Sequence, residues 1–564
     1  MNPAVDGVFD YVVVGGGAAG CVLASRLTEQ SEFRVLLIEA GPDTPPGAEP
    51  ADILDVYPKS YSEPRYMWPD LLVKFKDAND SRSRYEQARV MGGGSSLSGM
   101  YALRGLPEDY DEWEALGARG WSWKDVLPYF VRLERDLDFD GPLHGKTGPI
   151  PVRRHRREEW PPLCRAVGTA LQEKGYRSLA DLNAEFGDGL GAIPMSNLPT
   201  QRVSAAMAYL PRAVRERPNL RIMADAFVEG LAAEGRRIRG VSVRHAGRVL
   251  QFEAGETILA AGALHTPAIL LRAGIGPAEE LRALGIAVIA DLPGTGRNLQ
   301  NHPRISLSAH LKREGMQPQG VRAFTFSTLR FSSGVQGCPA SDMLMGMWNK
   351  SSWHALGQRI ATLHVAVYKA SSCGEVTLRS ADPREEPDVR FRLLSDRRDL
   401  LRLAQGLRLL ANVMDHPAVA SIRNELFVPA ATEFIRRLNR PCAANRIKAA
   451  CAALLLDGPA SLRRALIERV GPGLAGAISD AAATEEFVQR HVGCMFHPVG
   501  TCRMGDPGDR AAVVDPRLRV HGVAGLRVVD GSVMPSIVRA NTHIPITMIA
   551  EKASDLIKAD SAAR

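Results

Sequence analysis

The amino-acid sequence predicts an α/β protein of two lobes, one built on a parallel sheet and the other, inserted into it, built on an antiparallel sheet with helices. Three observations favour this fold. A strand, a helix and a second strand follow one another in residues 11–39, and a further buried strand, Gly525–Gly531, lies near the C-terminus. Between them, from about His310 to Val492, long strands alternate with amphipathic helices. Because 564 residues are too many for one compact core, two lobes are expected.

The opening segment is typical of a Rossmann-like dinucleotide-binding unit. Tyr11–Val14 is an apolar run that predicts a buried strand. The glycines after it allow a tight turn, close approach of a pyrophosphate and close packing of the next helix: Gly15, Gly17 and Gly20. Val35–Ile38 predicts a second parallel strand. Glu39 follows it and is placed to accept hydrogen bonds from a ribose diol, which disfavours NADP.

The composition is that of a globular protein that does not span a membrane. Apolar residues make up 45% and charged residues 24% of the chain, and no uninterrupted apolar run reaches the roughly 20 residues of a membrane span. The N-terminus lacks the basic and apolar regions of a signal peptide, so a cytoplasmic location is expected. The eight cysteines form no C-x-x-C pair, and we expect no metal site.

The charge balance gives no reason to expect a nucleic-acid partner. The net charge of +7 is small for this length. The only dense basic cluster is Arg153–Arg157, and Glu158 and Glu159 follow it directly. We interpret this cluster as a solvated face.

Further segments add to the first lobe. Gly41–Pro69 is rich in proline and predicts a surface loop, and Arg89–Ser96 is a second glycine-rich turn that suits a phosphate or a planar ring. Leu220–Phe252 predicts short strands. Thr257–Ala263 predicts a strand that ends in small residues, and Ala268–Ala273 a short helix.

The later segments predict the inserted lobe and a return to the first. Thr432–Ala483 has helical spacing, and a lid, a subunit contact and plain helix packing all remain open for it. Pro545–Lys558 predicts a C-terminal helix. The predicted boundaries are 1–155, 216–308 and 491–564 for the first lobe, and 156–215 and 309–490 for the inserted lobe.

Four ordered blocks of the sequence resemble the glucose-methanol-choline (GMC) oxidoreductases, a family of FAD enzymes, from about Phe9 to Ile557. The blocks are the segment Gly15–Glu39, the pair Ala88–Ser98 and Arg104–Trp113, the pair Ala261–Gly276 and Leu292–Pro303, and the C-terminal histidine region. The resemblance implies a Rossmann-like FAD-binding lobe of the GMC type and an inserted substrate-binding lobe. Within the family, Arg104–Trp113, Gly117–Phe130 and Pro142–Pro151 are most similar to bacterial 5-hydroxymethylfurfural oxidases and related aryl-alcohol oxidases.

The resemblance also implies which residues bind FAD. They are Gly15, Gly17, Ala18, Ala19, Gly20, Glu39, Ala40, Trp68, Met91, Gly93, Gly94, Ser95, Ser98, Val228, Ala261, Gly262, Asp530, Gly531, Asn541 and Thr542. Ser98 stands where the family usually has Asn or His, so one polar contact to FAD is expected to differ. Leu97 stands where relatives with covalent FAD carry His. We therefore expect non-covalent FAD.

Two C-terminal histidines, His497 and His543, match the active-site pair of the family. Oxidation of an alcohol needs a base at the hydroxyl group, and neutral imidazole suits this because its pKa lies near working pH. We assign His497 as the base and His543 as the partner that hydrogen-bonds the substrate oxygen, at a position where many relatives have Asn. The remaining histidines of the matching blocks are interpreted as structural: His265, His302 and His521.

The function expected from these features is FAD-dependent oxidation of primary alcohols. Tyr368, Met495 and Phe496 are candidate walls of an apolar pocket, which favours furanic or aromatic alcohols and allows their hydrated aldehydes. Dioxygen is the expected acceptor, giving hydrogen peroxide. A dehydrogenase that uses a quinone or another acceptor, a hydroxynitrile lyase and a non-catalytic flavin-binding protein are the alternatives. The sequence leaves the oligomeric state open.

Overall fold

The computed structural model describes residues 5–77, 81–429, 432–471, 474, 476 and 478–563. Residues 1–4 lie outside these ranges. They belong to the N-terminal segment that is predicted not to be a signal peptide. Within the ranges, none of the helices combines the length and the hydropathy that a membrane span requires.

The first sheet has seven strands and joins parallel and antiparallel pairs. In spatial order its strands are Leu220–Met223, Val35–Ile38, Gly7–Val14, Arg248–Leu259, Arg237–His245 and Ala226–Glu234, and Leu526–Val528 also pairs with Arg248–Leu259. The opening strand has a parallel neighbour on each side, and Val12 and Val13 are 0% exposed. A strand buried on both faces needs continuous apolar residues, which explains the unbroken apolar run in the sequence.

Five helices surround this sheet, and the last of them joins the two ends of the chain. The helices are Ala18–Leu27, Pro107–Ala115, Trp123–Leu133, Gly262–Arg272 and His543–Ala562. The C-terminal helix packs against the first and the third of them. Its Glu551 carboxylate is 0% exposed and lies 2.9 Å from Arg26 Nη2 and 2.8 Å from Arg132 Nη2. These ion pairs tie residues more than 400 positions apart.

The second sheet has eight strands and is mainly antiparallel. In spatial order they are Arg423–Phe427, Pro303–Leu311, Ile360–Val367, Met343–Trp348, Ser327–Phe331, Gly189–Ala192 and Ser178–Leu179, and Gly493–Cys494 also pairs with Pro303–Leu311. Leu363 and Val365 pack on one face, where the helix Arg397–Met414 lies. Ala366 and Tyr368 belong instead to the core around the first sheet. The second sheet therefore turns one face toward the first sheet.

The remaining elements are short and connect the two sheets. A four-stranded sheet contains Glu375–Thr377, Asp388–Arg390, Leu72–Lys74 and Ser83–Arg84, and two-stranded sheets pair Asn197–Leu198 with Gln201–Arg202, Ile275–Gly276 with Ala290–Asp291, and Glu134–Asp136 with Ile150–Val152. Further helices are Ala51–Leu54, Gly94–Leu97, Pro162–Glu173, Ala205–Tyr209, Arg212–Arg215, Ala278–Ala283, Ala355–Gln358 and Pro417–Ala420, with 3₁₀ turns at Lys59–Ser62, Pro64–Tyr66, Arg157–Glu159, Arg313–Gly315 and Gly531–Val533.

The stretch Thr432–Ala483, predicted from its spacing as helical, forms the helices Glu433–Leu438, Ala443–Leu456 and Ala460–Val470, and a further helix, Ala481–His491, begins at its end. The second of them packs on the helix Ala355–Gln358, and Arg359 Nη2 lies 2.7 Å from Asp457 Oδ2. Phe434 and Leu454 on these helices are 71% and 69% exposed. The inner side of this stretch thus packs against the second sheet, and its outer side exposes apolar side chains.

Three segments differ from the sequence prediction in detail. The predicted loop Gly41–Pro69 contains the helix Ala51–Leu54 and two 3₁₀ turns, because its prolines start short helical turns rather than excluding them. The predicted helix at 268–273 begins earlier, at Gly262. Within the predicted strand Gly525–Gly531, only Leu526–Val528 forms a strand.

The basic run predicted as a solvated face is partly buried. Arg154 is 5% exposed, with Nη1 2.8 Å from Asp136 Oδ2 and Nη2 2.9 Å from Asp181 Oδ1. Hydrogen bonds from His144 to Asp136, Asp181 and Glu134 raise the pKa of this histidine to about 10. Glu134, Asp136 and His144 have the residue types of a metal site, but Arg154 supplies the positive charge that balances the carboxylates. The prediction of a solvated face is wrong at Arg154.

Candidate active site

One cavity of about 450 Å³ runs from the first glycine turn to His497. It lies at the carboxyl ends of the parallel strands, where open α/β sheets bind their ligands. Most of the residues predicted to bind FAD line it: Gly15, Gly17, Ala18, Ala19, Glu39, Ala40, Trp68, Gly93, Gly94, Ser95, Ser98, Val228, Ala261, Gly262, Asp530, Gly531, Asn541 and Thr542. Gly20 and Met91 do not line the cavity.

The three glycines of the first turn have three different surroundings. Gly15 has φ +106°, and a Cβ on it would lie 2.5 Å from the Ala260 carbonyl oxygen. A Cβ on Gly20 would overlap the Gly15 carbonyl oxygen, so this glycine lets the helix pack close to the strand. Gly17 faces the cavity, and a Cβ there would have only Ala260 O at 4.0 Å. The turn therefore leaves space at the N-terminus of a helix, as a pyrophosphate needs.

Two buried carboxylates lie along the same cavity. Glu39 is 7% exposed and accepts hydrogen bonds of 2.8 Å from the backbone N–H groups of Gly16 and Gly41. Burial raises the pKa of Glu39. Asp530 accepts hydrogen bonds from Gly262 N at 2.8 Å and Thr266 Oγ1 at 2.6 Å. Glu39 at the end of its strand fits a ribose, as the sequence predicts, and the cradle as a whole fits a dinucleotide.

His497 is held from its backbone and from its ring. Its N–H donates to Asn301 Oδ1 at 3.0 Å. The preceding residue, Phe496, has φ +60°, a conformation that bulky side chains rarely adopt and that is found at functional sites. His497 Nδ1 lies 2.9 Å from His302 Nδ1, and His302 Nε2 lies 3.1 Å from the Val538 carbonyl oxygen.

These contacts fix which nitrogen of His497 carries the proton. The Val538 carbonyl only accepts, so His302 Nε2 must donate to it, and the Nδ1 of neutral His302 is then an acceptor. His497 Nδ1 must donate to that acceptor. His497 Nε2 is therefore unprotonated and is a hydrogen-bond acceptor. Burial lowers the pKa of His302 to about 3, so His302 stays neutral at working pH.

Asn541 contacts the unprotonated nitrogen of His497. Asn541 Nδ2 is 3.2 Å from His497 Nε2, and Asn541 Oδ1 accepts a hydrogen bond of 3.1 Å from the Tyr368 hydroxyl. The ring of Tyr368 stacks on His302 at 4.3 Å between centroids. Among the described residues, the side chain that hydrogen-bonds the His497 ring at Nε2 is thus Asn541, and the assignment of His543 as the partner of His497 stays a prediction.

His543 opens on the same cavity at another point. It begins the C-terminal helix two residues after Asn541, and neither ring nitrogen has a hydrogen-bond partner among the described residues. Burial and the nearby Arg202 lower the pKa of His543 to about 4. Arg202 itself donates to the carbonyl oxygens of Ser95 and Ser98. A sequence with polar residues on both sides of Thr542 could not show which one faces His497.

The predicted apolar walls are only partly those found. Phe496 lines the cavity, but Tyr368 and Met495 do not. The Tyr368 hydroxyl is used by Asn541 and its ring face by His302. The walls near His497 that the sequence did not single out are Tyr61, Met100 and Tyr101.

The three histidines that were predicted to be structural lie in different surroundings. His521 Nε2 lies 3.2 Å from the Gly505 carbonyl oxygen, away from the cavity, as a structural residue would. His265 lines the cavity and stacks on Trp68 at 4.2 Å. His302 contacts His497 directly. It belongs to the block Leu292–Pro303, whose match to the family could have pointed to a role at the site.

Comparison with known proteins decides the family. A model of the GMC oxidoreductase N-terminal region matches residues 9–304, and one of the C-terminal region matches residues 370–550. The chain belongs to the GMC oxidoreductase family. This GMC oxidoreductase is 42% identical to 5-(hydroxymethyl)furfural oxidase of Methylovorus sp. (strain MP688), over 98% of this chain and 99% of the relative. It is 31% identical to oxygen-dependent choline dehydrogenase of Sinorhizobium fredii, over 97% and 95% of the two chains.

The fold agrees with that assignment. The solved structure of pyridoxine 4-oxidase from Mesorbium loti superposes with a TM-score of 0.80 at 27% identity, covering 98% of this chain and 99% of that one. The predicted fold class and enzyme class are confirmed. The chain is an FAD-dependent GMC oxidoreductase, and the cradle described above is where its FAD fits.

Proposed function

We propose that this GMC oxidoreductase oxidises primary alcohols of furanic or aromatic type, and the hydrates of their aldehydes, with His497 as the base. The single observation that carries the proposal is the unprotonated His497 Nε2, which accepts a hydrogen bond of 3.2 Å from Asn541 Nδ2. A neutral imidazole with one fixed tautomer is prepared to accept a hydroxyl proton. Asn541 would donate a hydrogen bond to the same substrate oxygen and so orient it.

The electrostatics of the site support this role for His497. Burial first, and then the positive charge of Arg304, lower the pKa of His497 well below its usual value. The residue is therefore unprotonated at neutral pH and able to take up a proton. FAD, when bound, supplies the hydride acceptor and passes the two electrons on to dioxygen, forming hydrogen peroxide, or to another acceptor.

The substrate class is proposed from the walls of the cavity. Tyr61 and Phe496 pack edge to face at 5.9 Å between centroids, and Tyr101 turns its hydroxyl to Thr325 at 3.1 Å. These walls are flat and mostly apolar, which suits a planar ring. The 5-(hydroxymethyl)furfural oxidase relative supports a furanic substrate and dioxygen, whereas the choline dehydrogenase relative favours a second acceptor as the alternative.

We also propose that FAD is held without a covalent bond. Leu97 lines the cavity where relatives with covalent FAD carry a histidine, and its side chain has no nucleophilic atom. Acid precipitation of the holoenzyme should release all of the yellow chromophore into the supernatant. Retention of the chromophore in the pellet would contradict this proposal. The cytoplasmic location and the lobe boundaries given by the sequence stay predictions.

The test of the function is anaerobic mixing of the holoenzyme with a neutral substrate such as 4-methylbenzyl alcohol. We expect the absorbance of the flavin to bleach, and admission of air to restore it with one hydrogen peroxide per aldehyde formed. Slow recovery in air that a quinone accelerates would make the protein a dehydrogenase. Product formation with the flavin still oxidised would instead identify a lyase.

A further inference from the structure

Arg304 presents a guanidinium group without an anionic partner beside the active site. It lies on the strand Pro303–Leu311, opposite Ala366. Its side-chain contacts are Met495 Sδ, at 4.0 Å from Nη1, and the ring of Trp348, whose centroid is 5.2 Å from Cζ. Among the residues that the structure describes, no carboxylate forms an ion pair with Arg304. A guanidinium carries five N–H donors, so most of its hydrogen-bonding capacity is unused.

The position of Arg304 is on the face of the second sheet that is turned toward the first. Ala366, opposite Arg304, belongs to the core around the first sheet. Trp348, under the guanidinium, donates from Nε1 to the Tyr101 hydroxyl at 3.3 Å, and Tyr101 lines the cavity. The positive charge of Arg304 also contributes to lowering the pKa of His497. Arg304 therefore lies next to residues that line the cavity, while the lining itself does not include it.

A second unsatisfied group lies on the same face. His364 pairs across the strands with Ser306, two residues from Arg304, so the two side chains are diagonal neighbours. His364 is 0% exposed, and neither of its ring nitrogens has a hydrogen-bond partner among the described residues. Its ring lies 4.9 Å from that of Trp348, and a Cβ on Gly346 would overlap it. Burial lowers the pKa of His364 to about 3, so the ring that packs behind Trp348 is neutral and adds no second charge beside Arg304.

We propose that Arg304 binds a carboxylate that the substrate carries at the end remote from the carbon that is oxidised. The preferred substrates are then furanic or aromatic alcohols and aldehydes that also bear a carboxylate. This inference rests on the proposed function, and it specifies the substrate class of the same site. A guanidinium matches a carboxylate with two parallel hydrogen bonds, and its stacking on Trp348 fixes the plane of the fork.

A charged substrate is energetically favoured over a neutral one at this position. A neutral ring in the cavity would exclude water from Arg304 without giving it a partner, and an unpaired charge in a dry site is costly. A carboxylate would satisfy it. Hydrogen bonds to charged groups contribute enough for a preference of about 10- to 100-fold in kcat/KM for the carboxylated member of a matched pair.

The experiment compares 4-(hydroxymethyl)benzoate with the neutral 4-methylbenzyl alcohol in the wild-type holoenzyme and in Arg304→Met, Arg304→Lys and a control. The control is Arg397→Met, because Arg397 is a 72% exposed arginine paired with Glu485 on the surface. We expect Arg304→Met to lower kcat/KM for the carboxylated alcohol about 10- to 100-fold and to change that for the neutral alcohol less than about 3-fold. Arg304→Lys should retain part of the preference, and Arg397→Met all of it.

A binding measurement separates this inference from the proposed function. Benzoate, which cannot be oxidised, should perturb the absorption spectrum of the bound flavin in the wild type, and Arg304→Met should weaken that binding by a similar factor. If both alcohols bleach the flavin with equal kcat/KM and Arg304→Met leaves their ratio unchanged, the carboxylate subsite is refuted while the proposed function stands. If neither alcohol reduces the flavin but benzoate binding depends on Arg304, the proposed function fails and the subsite stands.

Folding of the variants does not limit the test. The preference between the two alcohols is measured in the wild type itself, and its absence there already overturns the proposal. FAD content and melting temperature of each variant show whether a loss of activity is specific to one substrate or common to both.

Discussion

At the scale of single residues, a chain of four side chains determines the state of the proposed base. Tyr368 donates to Asn541 at 3.1 Å, Asn541 lies 3.2 Å from His497, and His497 donates to His302 at 2.9 Å. The ring of Tyr368 also stacks on the ring of His302. Each of these groups has one arrangement that satisfies its neighbours, so His497 Nε2 is unprotonated before any substrate binds.

The contact of Asn541 with His497 gives the first prediction. Asn541→Ala should lower the rate of anaerobic flavin reduction by the alcohol by about 100-fold, because the group that orients the substrate oxygen is lost. His543→Ala should lower it by less than about 10-fold, because His543 has no contact with His497. Stopped-flow absorbance measures both rates. The reverse order of effects would support His543 as the partner.

The second prediction concerns His302 as a positioning residue. His302→Leu removes the acceptor for His497 Nδ1, so the tautomer of His497 is no longer fixed, and kcat should fall by about 100-fold or more with little change in KM. His302→Gln can still accept that hydrogen bond and should recover part of kcat. Equal losses in both variants, with normal FAD content, would contradict the positioning role.

The third prediction concerns pH and stability at His144. Its folded-state pKa of about 10 exceeds the ordinary value of 6.5. The stabilisation that protonated His144 contributes is therefore complete below about pH 6.5 and is lost as the pH rises toward 10. Urea unfolding of the wild type between pH 6 and pH 10, compared with His144→Gln, measures this. The variant should lose stability over this pH window less steeply than the wild type, and parallel curves would contradict the assignment.

At the scale of elements, the packing of the first helix against the first strand depends on the absence of a side chain at Gly20. This gives the fourth prediction. Gly20→Ala places a Cβ against the Gly15 carbonyl oxygen and should destabilise the fold by about 3 kcal/mol and reduce FAD content. Gly508→Ala is the matched control, since a Cβ there meets nothing within 4 Å, and its effect should stay within about 0.5 kcal/mol. Equal melting temperatures for the two variants would contradict the close approach.

The inserted helices are a second feature at this scale. Their inner side is fixed to the second sheet, for example by Arg463 Nε, 2.5 Å from Glu425 Oε2. Their outer side exposes large apolar residues: Phe434, Ile447, Leu454, Leu455 and Leu462. Helix packing therefore explains the inner side of this stretch, whereas its outer side fits either a lid or a subunit contact.

At the scale of the whole molecule, the first sheet is completed from both ends of the chain. Glu551 of the C-terminal helix is 0% exposed on its side chain and pairs with Arg26, Arg132 and the Tyr209 hydroxyl. A folded first sheet thus requires the last strand and helix, and the cavity contains residues from both ends.

The fifth prediction tests this joining of the ends. Glu551→Gln leaves two arginines without their buried partner and should lower the free energy of unfolding by about 3 kcal/mol. Asp555→Asn breaks a pair with Arg132 in which Asp555 is 42% exposed, and should cost less than about 1 kcal/mol. Thermal unfolding of the FAD-loaded variants provides the comparison. A larger loss for Asp555→Asn would contradict the role of the buried carboxylate.

The sequence by itself determined the cradle and the family. Gly15, Gly20 and Glu39 are within 25 positions of one another, and a strand, a turn and a helix bring them together by local geometry alone. The strand Val35–Ile38 and the C-terminal return to the first sheet also followed from apolar patterns, which local burial creates. The histidine His497 could be found because the residues around it match a family motif.

Only the tertiary structure decided how the site works. His302 and Tyr368 reach His497 and Asn541 across 195 and 173 positions of the chain, and no local pattern records such contacts. The choice between Asn541 and His543 depends on where the C-terminal helix begins, and the unpaired charge of Arg304 is visible only when all of its neighbours are in place. Local periodicity encodes what a segment buries, whereas the pairing of distant polar groups is set by how the two sheets pack together.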